Sequence, residues 1–342
     1  MRILFLMTAP PPVVAGTDAV FQEADLLRTR LGGEMMFLLP SSKPRARFPR
    51  SLYGLHCLAA IRRMEREVDL HHVYHSELHY FPFLRFLRKP IVYTVASGLA
   101  AQKRVPSTRA LSRLNRIVVP SVRDLKRLTE KHLANGRLLH PAIDLSRFRH
   151  LPPPRSQDFV VMAGSAPWTR KQFRTKGVDA LLRVAQKQPF LRLVFLWRGL
   201  LSAELRRRVD RLGLAGRVEI IEQRVDVQEV LKRVQVAVVF SDKPKLVKAY
   251  PHSLLEALAC GRPVVVSDRI AMSDFVQENR CGQVVQGVDE SDIFRKIEAV
   301  KNDYEAYQAA ARRADLLDFV RQDPVGAYRE LYQSVIEEER RH

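Results

Sequence analysis

The sequence predicts an α/β protein made of two doubly wound parallel sheets in tandem. Three observations carry that expectation. Short apolar runs of strand length alternate with helical patterns along the whole chain. The opening order of strand, loop, helix and strand occurs twice. A Pro-rich stretch, Leu151-Pro-Pro-Pro154, separates the two series, and 342 residues are enough for two cores of ordinary size.

Residues 2–7 read as a buried first strand, followed by a Pro/Gly loop through Gly16. A helix is expected from about 18 to 31, ended by Gly32 and Gly33, with a strand at 35–39. Residues 52–67 read as a helix with a basic face (Arg62, Arg63, Arg66). Strands at 70–74, 90–95 and 117–120 and a helix over 122–134 complete the first series. Beyond the break, strands are expected at 159–163, 191–196, 218–221, 236–240 and 264–267, with helices between them. The expected domains are 1–152 and 155–318, with a last helix in 319–342.

The net charge is +20, and the N-terminal part holds most of it. Residues 1–154 carry 25 Lys+Arg against 11 Asp+Glu, and the remainder 32 against 26. An anionic membrane face, an acidic acceptor or nucleic acid would meet such a charge, and so would plain solubility. No aromatic-interleaved basic motif or zinc finger is present, so nucleic acid is the lesser reading. The apolar runs are too short to span a bilayer. Met1-Arg2 leads straight into a strand with no signal-peptide pattern, and a cytoplasmic location is expected. Cys57, Cys260 and Cys281 are odd in number and widely spaced, giving neither a disulfide framework nor a zinc ligand set.

The most informative stretch is Tyr250-Pro-His-Ser-Leu-Leu-Glu-Ala-Leu-Ala-Cys-Gly-Arg-Pro-Val-Val-Val-Ser-Asp268. A turn at 250–252 is expected to lead to an N-cap at Ser253 and a helix over 254–260. Gly261 and Pro263 stop that helix, and a buried strand follows at 264–266. Glu256 is expected in the first turn. A helix mouth offers unpaired N–H groups to a phosphate, and a carboxylate beside it accepts from ribose hydroxyls. Glu256 serves either that ligand role or its own helix terminus.

This stretch resembles the donor-site signature of retaining glycosyltransferases of the GT-B fold, family 4 type: a glutamate, seven residues, a second glutamate, then Ala-(Met/Leu)-Ala-Cys-Gly-x-Pro-Val-Val. Glu256 falls on the second glutamate, which in the family holds the nucleotide ribose. Lys248 falls on the first, which usually contacts the donor sugar; that is a departure. Further segments are similar in order and spacing: Asp69 to His75, Val118 to Leu125, His140 to Phe148 (with Ala142 in place of a glycine) and Lys176 to Leu182. The resemblance implies two Rossmann-like domains facing each other across a cleft, with the last helix packing back on the first domain.

A nucleotide-sugar donor loses a nucleoside diphosphate, so fixed cations and N–H donors lower the barrier where charge develops. The resemblance implies that an Arg and a Lys from the loop over 164–177 grip the diphosphate. Lys176 matches the lysine, and Arg170 is preferred to Arg174 by spacing. A solvated basic loop is the alternative. His252, Ser253, Leu254 and Leu255 form the expected helix mouth at the donor, and Lys248 stands beside it. Gly16 matches the family's glycine-rich first loop in position; an ordinary helix cap at Thr17 or Asp18 is the alternative reading there. Trp197-Arg198-Gly199 stands where the family has Gly-Asp-Gly. On the acceptor side Ala96 replaces a family histidine, so His75 or Ser97 would supply the polar contact. His71, His72, His75 and His79 also read as a mixture of packing and surface positions.

No metal site and no bound cofactor are expected, only a nucleoside-diphosphate sugar as donor substrate. The leading expectation is a glycosyltransferase that acts with retention on a saccharide or lipid-linked acceptor, in cell-surface polysaccharide or glycolipid synthesis. The segment 81–89, basic and apolar, is a candidate for contact with an anionic membrane. A catalytically lapsed GT-B binding or scaffold protein is the other reading, suggested by Lys248 and Ala96.

Overall fold

The first strand, β1 (Ile3–Met7), sets the layering of the N-terminal half. Ile3, Phe5 and Met7 enter one apolar cluster while Leu4 and Leu6 enter another, the period-2 alternation of a strand covered on both faces. The computed structural model describes residues 1–9, 11–12, 18–39, 49, 52–99, 106, 108–141, 143, 146–154, 158–197, 201–314, 316 and 323–341. The chain divides into two compact units: Met1–Ile143 with Asp318–His342, and Asp144–Leu317.

In the first unit β1 is followed by α1 (Ala19–Leu31), β2 (Gly33–Phe37), α2 (Leu58–Met64), β3 (Leu70–His75), β4 (Ile91–Val95), α3 (Thr108–Leu111), β5 (Arg116–Val119), α4 (Val122–Glu130) and β6 (Gly136–Leu138). The sheet is parallel throughout, in the order β2-β1-β3-β4-β5-β6. Asp18 caps α1 by accepting from the N–H groups of Val20 and Phe21. β2 starts at Gly33, two residues earlier than the apolar pattern suggests. A Cβ there would lie 2.1 Å from the Ile3 carbonyl oxygen, so only glycine lets β2 close on β1. The helix expected over 52–67 is confined to α2 and a 3-10 turn, Glu65–Glu67; residues 53–57 are turns. The edge strand β6 lies where the sequence reading ended a helix.

The last described helix, which packs on α1 of this unit, comes from the far end of the chain, Pro324–Arg341. Its Tyr328 donates to Glu23, and its Tyr332 hydroxyl lies 2.7 Å from His72 Nδ1. His72 Nε2 is 2.7 Å from Thr94 Oγ1, and burial pushes the imidazole pKa down to about 3. The folded state therefore keeps His72 neutral at pH values where the unfolded chain binds a proton. Stability contributed by this group is complete above about pH 6.5 and falls by up to about 1.4 kcal/mol per pH unit as the pH drops toward 3. Urea unfolding at pH 7 and pH 5 should show a smaller loss for His72→Leu than for wild type; equal losses would contradict this.

The second unit runs β7 (Phe159–Ala163), α5 (Arg170–Thr175), α6 (Val178–Lys187), β8 (Leu191–Leu196), α7 (Ser202–Arg211), β9 (Val218–Ile221), α8 (Val227–Leu231), β10 (Val236–Val239), α9 (His252–Ala259), β11 (Val264–Ser267), α10 (Met272–Asn279), β12 (Gly282–Val285), α11 (Glu290–Asn302) and α12 (Tyr304–Arg313). The helix Pro324–Arg341 is α13. The second sheet, also parallel, has the order β12-β11-β10-β7-β8-β9. Numbered within the unit, this is the 3-2-1-4-5-6 order of a dinucleotide-binding sheet, with its reversal between β7 and β10. Phe159, Val161, Leu193, Phe195, Val236 and Val238 pack against α6 and α11 in one core.

The Pro-rich stretch is fastened to this second unit. Leu151 N–H donates to the Cys260 carbonyl, and the Leu151 and Pro152 carbonyls accept from Arg312 and Arg262. Pro152 and Pro153 remain exposed.

Candidate functional site

In an open parallel sheet, ligands gather where strand order reverses, beyond the carboxyl ends of the strands. In the second unit that place is the end of β7 and the end of β10. Gly164 follows β7 directly. A Cβ at 164 would lie 2.4 Å from Ser253 Oγ, so the absent side chain is what lets this strand end touch the start of α9.

Helix α9 begins two residues earlier than the sequence suggests. Pro251 is the N-cap, with φ −63°, and its carbonyl accepts from the N–H groups of Leu254 and Leu255. Ser253 is thus the second residue of the helix rather than its cap, and its hydroxyl faces Gly164. Of the expected mouth residues His252, Ser253, Leu254 and Leu255, the last two give their N–H groups to the Pro251 carbonyl, so His252 and Ser253 are the ones that open the helix. Leu254 and Leu255 themselves are core residues. Glu256 is therefore one turn in, not in the first turn, and is half-buried, as is Ser253 three residues before it on the same side. The helix ends as expected: Gly261 has φ +70°, its N–H donates to Leu258, and Arg262 N–H donates to Ala257.

Lys176 is buried, and its three protons go to the Ser165 carbonyl (3.2 Å), Ser165 Oγ (2.9 Å) and the Ala166 carbonyl (3.1 Å). Ser165, left-handed at φ +63°, is thereby fixed next to Gly164. One short segment, 164–166, thus touches both Lys176 and the start of α9. Sequence reasoning missed Ser165 and Ala166, whose importance comes only from what folds against them. Gly177, at φ +65°, turns the chain from Lys176 into α6, and a Cβ there would lie 2.9 Å from Phe240 Cβ.

The segment expected as a basic loop is partly helical, since residues 170–175 form α5. Arg170 and Arg174 sit one turn apart on it and are exposed. Arg170 Nε lies 3.7 Å from Glu204 of α7, so Arg170 is drawn toward a surface carboxylate and not toward segment 164–166. Lys248 Nζ lies 3.1 Å from His252 Nε2. An ammonium group can only donate, so Nε2 accepts. Burial, and then the Lys248 charge, push the His252 pKa well below its ordinary value.

In the first unit the strand order reverses between β1 and β3, and His75 ends β3 there. Thr8, just past β1, has one hydroxyl proton, and it goes to the Tyr74 carbonyl (2.8 Å). The 2.6 Å contact between Thr8 Oγ1 and His75 Nδ1 is then a donation from the ring, leaving Nε2 as its lone-pair nitrogen. Ser97 is buried on the neighbouring strand end, its N–H bonded to the Ser76 carbonyl. His71 is tied to Glu65 and His72 to Thr94 and Tyr332, so these two hold the fold together. Gly16, Thr17, Ala142, Arg198 and Gly199 lie outside the described residues.

The segment 81–89 does not offer the apolar face expected of it. Phe81, Phe83, Leu84 and Leu87 are buried, and Phe86 is the large apolar side chain it exposes. Among the described residues, no helix is long and apolar enough to cross a membrane, and no three His, Cys, Asp or Glu side chains gather to hold a metal.

Comparison with known proteins agrees with this architecture. Residues 169–316 match the family described as Glycosyl transferases group 1. The D-inositol 3-phosphate glycosyltransferase of Mycobacterium marinum is 26% identical over 203 residues, covering 55% of this chain and 42% of that protein. The chain is thus matched to less than half the length of that relative. Among solved structures, Anabaena HepE in complex with UDP and glucose superposes with a TM-score of 0.70 at 16% identity, over 98% of this chain and 99% of HepE. Sucrose-phosphate synthase of Thermosynechococcus elongatus gives 0.73 at 14% identity, over 98% and 100%. WaaG, a glycosyltransferase involved in lipopolysaccharide biosynthesis, gives 0.66 at 13%, over 97% and 99%. Two parallel sheets with these likenesses give the chain the GT-B fold, and over residues 169–316 its second unit is similar to the glycosyl transferases group 1 family.

Proposed function

We propose that this chain transfers a sugar, with retention of configuration, from a nucleoside-diphosphate sugar to a saccharide or lipid-linked acceptor. UDP is the nucleotide of first choice, since HepE was solved with UDP and UDP-glucose. The observation that carries the reading is segment 164–166, held by Lys176 on one side and against the start of α9, which has no side-chain cap, on the other, where the sheet order reverses. The diphosphate would lie along this segment, over the α9 amides. Lys176 would pass a proton contact from Ser165 to the departing phosphate, and Glu256 would accept from the ribose hydroxyls. Lys248 and His252 would face the sugar end of the donor. As the bond from the sugar carbon to the phosphate oxygen breaks, the acceptor oxygen bonds on the same face and its proton passes to the leaving phosphate. Protein cations, with the helix start, would take the role of a metal.

His75, with Nε2 as a lone-pair nitrogen, and Ser97 are the proposed acceptor contacts of the first unit. The excess positive charge of residues 1–154 suits an acceptor carried on an anionic cytoplasmic membrane face, in cell-surface polysaccharide or glycolipid synthesis. That attraction would be electrostatic, so binding to anionic vesicles should fall steadily with salt; binding indifferent to salt would contradict it.

The test of the donor site is a thermal-shift screen of UDP, GDP and ADP, paired with a sugar-transfer assay. At 100 times Kd one nucleotide should raise Tm by about 5 °C. Glu256→Ala and Lys176→Ala should remove most of that rise. Equal rises in all three proteins would refute the site, and a normal rise with no transfer from any donor would favour a lapsed scaffold.

A further inference from the structure

A cavity lies on the outer edge of the same unit, away from the β7–β10 reversal. Strand β12 ends the sheet and pairs only with β11. Val264 N–H takes the Cys281 carbonyl and Asp268 N–H the Val285 carbonyl, so residues 281, 283 and 285 face β11. The parallel ladder then turns the backbone of Gly282 and Val284 outward. Beside this edge α10, α11 and α12 enclose a cavity of about 670 Å³.

Three cations border it: Arg280, Lys296 and Arg313. Several basic side chains of the unit are matched to carboxylates, as Arg183 and Lys187 are to Glu290, Arg207 and Arg208 to Glu204, and Arg295 to Asp292. Among the described residues Arg280, Lys296 and Arg313 form no ion pair. Arg280 also ends α10 at φ +52°, a left-handed conformation that is strained for a Cβ-bearing residue and that glycine adopts freely. The remaining lining is suited to hydroxyl groups: the Asp303 carboxylate, the Gln283 amide bonded to Tyr307, and the outward carbonyls of β12.

We propose that this cavity binds an anionic monosaccharide unit, a hydroxylated ring bearing a phosphate or a carboxylate. Three cations against one carboxylate select a negative charge, and guanidinium groups pair with phosphate or carboxylate in two-point fashion. Asp303 repels a bare anion and accepts from a sugar hydroxyl, which sets an anionic sugar apart from a simple anion. The volume suits one such ring with its substituent; sites for small ligands span roughly 300–1,000 Å³. Four strand residues are too short an edge for an added peptide strand to be the main ligand.

The test is calorimetric titration of the full chain, with UDP present in excess, using glucose 6-phosphate, glucuronate, glucose and inorganic phosphate in turn. Saturable binding of glucose 6-phosphate or glucuronate is expected, with glucose and phosphate at least about tenfold weaker. Arg280→Gln with Arg313→Gln should weaken the anionic sugar at least about tenfold and leave the UDP-induced Tm rise unchanged. Asp303→Asn should weaken the sugar while strengthening inorganic phosphate. Phosphate binding as tightly as the sugar, binding indifferent to the arginine pair, or no saturable binding of either anionic sugar would overturn the proposal. The UDP response reports the donor site separately, so failure of either reading is distinguishable from failure of the other.

Discussion

Arg262→Ala is expected to cost the second unit about 3–5 kcal/mol, read as a fall in Tm of roughly 10 °C. Arg262 is wholly buried. Its Nε donates to the Leu231 carbonyl (3.0 Å), one terminal nitrogen to the Pro152 carbonyl (2.8 Å) and the other to the Tyr304 hydroxyl (3.4 Å). Burial pushes the guanidinium pKa down, and Tyr304 opposes that shift. Removing the side chain would leave a hole among α8, α9 and α12 and deprive Pro152 of its donor. Arg262→Met fills most of the hole and removes the buried charge, so it isolates the lost hydrogen bonds and should cost only about 1–3 kcal/mol. The two variants differ in volume and share the lost donors, which separates the terms. Melting of both within about 2 °C of wild type would mean that the guanidinium's desolvation cost cancels its bonds.

Gly164→Ala is expected to lower nucleotide affinity and transfer at least about tenfold while the fold survives. The added methyl would stand 2.4 Å from Ser253 Oγ and 3.0 Å from Ser253 Cβ, so β7 and α9 must part. The atoms displaced are those proposed to carry phosphate, which makes the effect on function larger than the effect on stability. Ser253→Gly removes both obstructing atoms. Combined with Gly164→Ala it should recover part of the affinity, with a coupling of at least about 1 kcal/mol in the double-mutant cycle. Strict additivity would show that the clash at Ser253 is not the cause.

Much of this was legible in the chain itself. Four strands of the second unit, β7, β8, β9 and β11, occupy the expected residues. Their apolar β-branched runs, bounded by turn residues, leave little choice. The Schellman ending of α9 at Gly261 was also legible, because a left-handed residue there calls for glycine. Other features were not. β6 is three residues long and half polar, so no pattern distinguishes it from a loop. The segment 81–89 looks amphipathic in sequence, yet Phe81 and Phe83 fill the first core. The N-terminus of α9 was displaced by two residues because Pro251 supplies a carbonyl while Ser253 finds a neighbour 89 positions upstream in Gly164.

The sequence by itself determined that there are two parallel α/β sheets, and it determined the glycine stop and buried strand that end the stretch 250–268, since these follow from apolar periodicity and from positions that glycine or proline is needed to fill. Tertiary structure decided which cations belong together. Lys176 and Arg170 are six positions apart in the chain, yet one is buried against Ser165 and the other is drawn to Glu204 on the surface. Spacing cannot tell them apart, because a charge is placed by whichever acceptors the fold brings within reach, and those acceptors come from distant strands and helices.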